Sequence, residues 1–419
     1  MLPLFELASR RKRRKLGFGK TIMMRRTTCI IAALAVGLTV ARADDGLGLK
    51  RGGNPSDVTI SGVSSGAAIA VEYAVAHSAS IVDVGAIAGP AWGCADGSLS
   101  QATNTCMCGR HEPDSRIDAA RQLAASGKVD SLSPSGKPQS LKHSYVFHSP
   151  ADATVVVPSA RANISFLSSF TGEPPKADWG NSANGSDHAG HGIIAPDGND
   201  SCEFTGTETT YVRRCGAEDN AGKMFHAFYD PSSPFDPSKR INDIPETEVW
   251  QFNQKPLIEQ VKTSTSVAPD MVWFTWPWNW WTYKSERRDN LDMAEKGYIY
   301  VPPSCRQQGS PCHVHIALHG CKQNPKDFAV KAGYNNWAEQ YHVIVVYPAL
   351  EPSISLPEQV CQLPPVNNAV DELPMKPNPN GCWDWWGYLD TSDQKDRYLT
   401  KEAPQMLVIE GIIAEVTGR

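Results

Sequence analysis

The stretch that most limits what this chain can fold into is ISGVSSGAAIA, residues 60–70. It sets Gly62-Val63-Ser64-Ser65-Gly66, a G-x-S-x-G pattern, between a strand-like end at 57–60 and small and apolar residues at helical spacing up to His77. Glycines at both flanks permit a turn tight enough to expose the Ser64 hydroxyl and let helix and strand approach closely. The stretch thus asks for a strand–turn–helix unit in an α/β fold, with Ser64 as candidate nucleophile. The competing role for Ser64 is a helix N-cap. The elbow also comes early, because such a turn normally follows several strands and a loop that supplies half of an oxyanion hole.

Further short, β-branched, nearly continuous apolar runs follow: VDVGAIAGPAW, SLKHSYVFHSPADATVVVP, KGYIYVP, HVHIALHGC and VIVVYPAL. Runs of this kind suit a mostly parallel sheet covered by helices on both faces. Helical patterns are expected at NAGKMFHAFYD, at FAVKAGYNNWAEQYH and over residues 404–416, while the proline-interrupted stretch 231–270 supports no assignment. No repeat, coiled coil or low-complexity linker divides the chain.

The segment MMRRTTCIIAALAVGLTVARADD joins two arginines, an apolar run and Ala41-Arg42-Ala43, the pattern of a secretory signal peptide cleaved after Ala43. Residues 1–43 are expected to be that signal, with Met23 or Met24 as the initiator if the start is over-extended, and 44–419 a single catalytic domain. Without residues 1–43 the chain holds 30 Lys/Arg against 44 Asp/Glu, a formal charge of −14. So acidic a body argues against a nucleic-acid or anionic-membrane partner. Ten cysteines remain, and an even number in an exported chain implies disulfides. The close pairs Cys94/Cys106, Cys202/Cys215 and Cys305/Cys312 read as loop staples, whereas Cys108, Cys321, Cys361 and Cys382 need distant partners. The single-residue spacing of Cys106 and Cys108 is wrong for a zinc knuckle, and no metal site is expected.

A serine nucleophile needs a base and an acid, in the chain order serine, acid, histidine for this fold. Asp152 lies four residues beyond the strand SYVFH, where the acid belongs. His188 and His191 both fall in the loop NGSDHAGHGIIAPDGNDSC, and local sequence does not separate them. The missing oxyanion loop is IALHGC, residues 316–321, an apolar strand running into His319-Gly320. It follows Ser64 instead of preceding it, which is the mark of a circular permutation: chain order changes while the packed sheet does not.

With these residues in place the chain resembles the single-domain, circularly permuted poly(3-hydroxybutyrate) depolymerases. The resemblance rests on SGVSSG, YVFHSPADATVVVP, the histidine loop closing on GNDSC, GYIYVPPSC, VHIALHGCKQN, GYNNWAEQYHVIVVYP and NPNGCWDWWGY. It implies a circularly permuted α/β-hydrolase with Ser64 as nucleophile and Asp152 as acid. Counting back from Cys202 it selects His188 as base, with His191 as runner-up. It implies an oxyanion hole from the N–H groups of Ser65 and Cys321, a Cys321–Cys382 disulfide, and Trp385, with Trp383 beside it, as substrate-crevice aromatics. Cys108 and Cys361 are then left for each other. The activity implied is hydrolysis of a short-chain polyhydroxyalkanoate or its oligomers by a secreted or periplasmic monomer, without cofactor. The competing readings are an esterase of soluble or plant-derived, feruloyl-type esters and a non-catalytic polymer- or carbohydrate-binding protein. The tract VWFTWPWNWWTYK alternates Trp276, Trp278 and Trp280, so Trp278 and Trp280 are candidate contacts to a water-insoluble polyester, unless the tract covers the core.

Overall fold

The computed structural model describes residues 49, 52–110, 114–275, 281–286, 288, 290–306, 312–351, 361, 378 and 380–419. The expected signal segment and Trp276, Trp278 and Trp280 lie outside the described residues. In chain order the first half runs β1 (Gly53–Val63), α1 (Ser65–Ala76), β2 (Ile81–Ile87), α2 (Leu99–Gln101), α3 (Asp114–Ala125), β3 (His143–Phe147), α4 (Val157–Thr171) and β4 (Lys176–Asp178). Three short strands, β5 (Ile193–Ile194), β6 (Asp200–Ser201) and β7 (Val212–Arg214), precede α5 (Asn220–Tyr229), β8 (Val249–Asn253), α6 (Lys255–Ser264), β9 (Asp270–Thr275) and β10 (Trp281–Glu286). The last third holds β11 (Lys296–Tyr300), β12 (Cys312–Leu318), α7 (Pro325–Lys331), α8 (Tyr334–Tyr341), β13 (Val343–Tyr347) and α9 (Pro404–Thr417).

Eight strands form the central sheet in the order β4-β3-β2-β1-β12-β13-β11-β8. The pairs from β4 through β13 are parallel, and only β11 runs against its neighbours, β13 and β8. This is the mostly parallel sheet expected from the apolar runs. Strand alternation explains why both faces are apolar. On β12, Val314, Ile316 and Leu318 join the core beneath α1, α4, α6 and α9, while Ala317 joins the opposite core beneath α5, α7 and α8. The second core is made largely of aromatic rings, with Phe225, Phe328, Tyr334, Trp337 and Tyr347 against Val343 and Val345.

Two local expectations change. The proline-rich stretch 231–270 contains β8 and α6, and Pro256 stands in the first turn of α6, where a missing N–H costs no helical hydrogen bond. The single helix expected at FAVKAGYNNWAEQYH is two, α7 and α8, separated at Gly333, which takes a left-handed backbone. Five disulfides close the loops: Cys94–Cys106, Cys108–Cys361, Cys202–Cys215, Cys305–Cys312 and Cys321–Cys382. Among the described residues no helix is long and apolar enough to cross a membrane.

Candidate active site

Ser64 sits between β1 and α1 with φ +80° and ψ −109°, a strained conformation for a residue with a side chain. It is fixed from both sides, since its N–H donates to Ile87 O (3.0 Å) and its carbonyl accepts from Ala68 N (3.0 Å). The flanking Gly66 is required sterically. A Cβ there would lie 2.3 Å from Leu318 O and 2.5 Å from His319 O, so only glycine lets α1 press against the end of β12. That close approach brings the His319-Gly320 turn to the serine, where a Cβ on Gly320 would lie 3.0 Å from Val63 O and 3.2 Å from the Ser64 Cβ.

Asp152 lies in the turn after β3. Its Oδ1 accepts from Thr154 N (2.9 Å) and Val155 N (3.1 Å), leaving Oδ2 for His191 Nδ1 at 2.7 Å. The other ring nitrogen, His191 Nε2, stands 2.9 Å from Ser64 Oγ. With Nδ1–H donating to the carboxylate, Nε2 is the acceptor and Ser64 the donor. Burial of Asp152 opposes its ionisation. The nearby His191 charge and hydrogen bond, together with His148 and the Val155 N–H, outweigh that and hold its carboxyl below the ordinary aspartate range.

The structure thus brings the runner-up, His191, to Ser64 and not His188, the base expected first. His188 ends a single 3₁₀ turn (Ser186–His188), its side chain is 68 % exposed, and its Nδ1 bonds the neighbouring Asp187 (2.8 Å). The His191 side chain is only 7 % exposed, and the loop that carries it is held by groups the sequence reading did not single out. Buried Arg213 donates from Nε to His191 O (2.7 Å) and from Nη1 to Ser201 O and Glu203 O (both 3.0 Å). The Cys202–Cys215 disulfide and the β5-β7-β6 sheet frame the same loop. His148, at the end of β3, donates from Nε2 to Val155 O (2.8 Å) and so braces the acid turn, its burial holding its pKa down.

The expected oxyanion donors are placed as follows. Ser65 is the first residue of α1, and Cys321 follows the His319-Gly320 turn, bonded through sulfur to Cys382. His319 donates from Nδ1 to Gly320 O (2.8 Å) and accepts from Leu350 N (3.1 Å), with burial lowering its pKa to about 4, so the ring that shapes the turn is neutral. Trp383 departs from its expected part. Its indole is fully buried and donates to His319 O (3.0 Å), and its N–H donates to Ser65 Oγ (3.4 Å), which makes it a support beneath the turn and not a crevice wall. Trp385 is also buried, 5 % exposed and packed edge-on against Trp386 in the cluster that holds Cys382. Among the described residues no group of three or more His, Cys, Asp or Glu is arranged to hold a metal ion.

Sequence comparison finds no family model that matches. Among curated proteins the chain is 27 % identical over 372 residues to the poly(3-hydroxybutyrate) depolymerase of Delftia acidovorans, covering 87 % of this chain and 60 % of that protein. It is 36 % identical over 107 residues to the polyhydroxybutyrate depolymerase of Talaromyces funiculosus, covering 24 % of this chain and 28 % of the relative. The chain thus spans less than two thirds of the length of either relative. Among solved structures it shares the fold of a PHB depolymerase complexed with R3HB trimer and of the PHB depolymerase from Penicillium funiculosum. Each has a TM-score of 0.61 and 21 % identity, covering 88 % of this chain and 98 % of the other. In sequence and in fold, the chain is similar to proteins named poly(3-hydroxybutyrate) depolymerases.

Proposed function

We propose that the chain is a serine esterase that cleaves the ester bonds of poly(3-hydroxybutyrate), or of related short-chain polyhydroxyalkanoates and their oligomers, through an acyl-enzyme. The observation that carries this reading is the relay Ser64 Oγ–His191 Nε2 (2.9 Å) and His191 Nδ1–Asp152 Oδ2 (2.7 Å), set on a strained elbow. In the reaction His191 takes the proton from Ser64 as Oγ attacks the ester carbonyl. The N–H groups of Ser65 and Cys321 receive the developing oxyanion, and His191 returns the proton to the leaving hydroxyl. Water then repeats the sequence and releases the hydroxy acid. Asp152 fixes the tautomer of His191 and stabilises its charged form. The R3HB trimer bound in one solved neighbour favours an oligoester as ligand.

The chain order is read as a circular permutation, with the elbow strand first and its oxyanion neighbour late. Residues 44–419 are read as one catalytic unit acting as a monomer without cofactor. Five disulfides and the signal-like segment favour export to an oxidising compartment, where an insoluble polymer would be met. The test is clearing of a poly(3-hydroxybutyrate) film, with product analysis and Ser64→Ala as control. Full esterase activity in Ser64→Ala would sink the reading. Turnover of a feruloyl ester without film clearing would shift the substrate to soluble esters, and failure of a serine-directed phosphonate to label Ser64 would favour a binding protein.

A further inference from the structure

The oxyanion turn and the histidine loop are distant in the chain, Gly320 and His191 lying 129 residues apart, yet both must act on the same ester group. We propose that Gln323 is the positioning residue that couples them; the inference rests on the serine-esterase reading above. Gln323 is 5 % exposed and its side chain folds back over its own turn. Its Oε1 accepts from Gly320 N (2.6 Å), inside the turn that ends in the Cys321 N–H, and its Nε2 donates to Thr210 O (2.8 Å), 113 residues away in sequence. The two bonds fix the amide orientation, because only oxygen can accept from Gly320 and only nitrogen can donate to Thr210.

Thr210 is itself rigid. Its N–H and hydroxyl both donate to buried Asp200 Oδ2 (2.9 and 3.0 Å), which also accepts from Tyr211 N. From there the path to the base is short. Tyr211 O accepts from Ile193 N (3.1 Å), two residues beyond His191, and Arg213 in the same strand holds the His191 carbonyl. One amide therefore spans the gap between the donors of the oxyanion hole and the frame of the base. Two further supports of the oxyanion turn, the Trp383 indole and the Cys321–Cys382 disulfide, come from residues 382–383 and not from the histidine frame. Donors of this kind act through being held in place before charge develops, so a slack turn lowers turnover and leaves ground-state binding almost unchanged.

The experiment compares wild type, Gln323→Ala and Gln323→Glu in the full chain on a soluble p-nitrophenyl butyrate substrate, with thermal unfolding of each. Gln323→Ala is expected to lose about 10- to 100-fold in kcat, short of the loss of an oxyanion donor itself, with KM within about threefold. Gln323→Glu keeps the acceptor for Gly320. Its protonated carboxyl can donate to Thr210 O, whereas the ionised one repels it. Its kcat relative to wild type is therefore expected to be near one at acid pH and to fall as the introduced carboxyl ionises. A kcat within twofold of wild type for Gln323→Ala, or a change confined to KM, overturns the proposal. Should Gln323→Ala fail to fold, the pH ratio of Gln323→Glu decides, and a flat ratio overturns it. Loss of the Ser64→Ala contrast in the wild-type background would instead remove the esterase reading itself, and this inference with it.

Discussion

Replacing His191 and His188 by alanine, one at a time, separates two residues that sit three apart in one loop. His191→Ala removes the only base within hydrogen-bond reach of Ser64 Oγ among the described residues, at 2.9 Å. Loss of the base in a relay of this kind costs on the order of a million-fold in kcat, about 8 kcal/mol of transition-state stabilisation. The same change has a second, independent signature. Asp152 is buried, which by itself raises its pKa, and the largest opposing influence is His191. A carboxyl held low in the folded state stabilises the protein above its unfolded pKa, and that stability is lost as pH falls through the folded value. Without His191 the folded value rises, so acid unfolding of His191→Ala should begin at higher pH than in wild type. The neutral-pH stability loss should stay near 1–3 kcal/mol, because Thr154 N and Val155 N still bond the carboxylate. His188→Ala removes an exposed pair with Asp187 and should change kcat by less than about twofold and leave the acid limb in place. Steady-state kinetics on a soluble ester and circular dichroism across pH 2–7 read both effects. An inactive His188→Ala beside an active His191→Ala would refute the assignment.

Three further outcomes follow from the packing. Gly66→Ala should give little folded protein, or a lowered thermal midpoint with lost activity, since its Cβ would press on the Leu318 and His319 carbonyls; scanning calorimetry and kcat check it. Arg213→Met should lose on the order of 3 kcal/mol in denaturant unfolding and also lose turnover, because three carbonyls, including that of His191, are left without their donor. His315 is wholly buried between Thr59 Oγ1 (2.7 Å) and Ser61 Oγ (2.8 Å), and burial lowers its pKa to about 3. Protonation therefore favours the unfolded chain. Stability should fall from near pH 6.5, the ordinary histidine value, toward pH 3, by up to about 1.4 kcal/mol per pH unit, and His315→Gln should flatten that slope.

The elbow was legible because its glycines encode a conformation: the spacing of Gly62 and Gly66 around Ser64 is the geometry itself. The place of Asp152 was legible because it follows from where a strand ends. Which histidine meets Ser64 was not. A count back from Cys202 measures contour length, and the side chain that enters the site depends on the 3₁₀ turn that faces His188 outward and on Arg213, 22 residues past His191, gripping that residue's carbonyl. Trp383 escaped for a related reason. An aromatic beside a site can be wall or foundation, and only the bond from its indole to His319 O separates the two. The missed elements β8 and α6 lie in a segment whose prolines read as interruptions, although Pro256 stands in the first helical turn, where proline is tolerated.

The central strand of the sheet, β1, has β2 on one side, available soon after it in the chain, and β12 on the other, paired between Val58 and Val314 through Gly62 and Leu318. Synthesis delivers the two halves of that ladder far apart in time. An emerging chain carries β1 with one edge open until Val314, the partner of Val58, has been made, and loop closure over such a span is slow. Ser64 is in place early, but the His319-Gly320 turn that faces it arrives only with β12. On the esterase reading proposed above, cleavage has to wait for β12, and a product cut short before Cys312 would present an elbow with nothing opposite it.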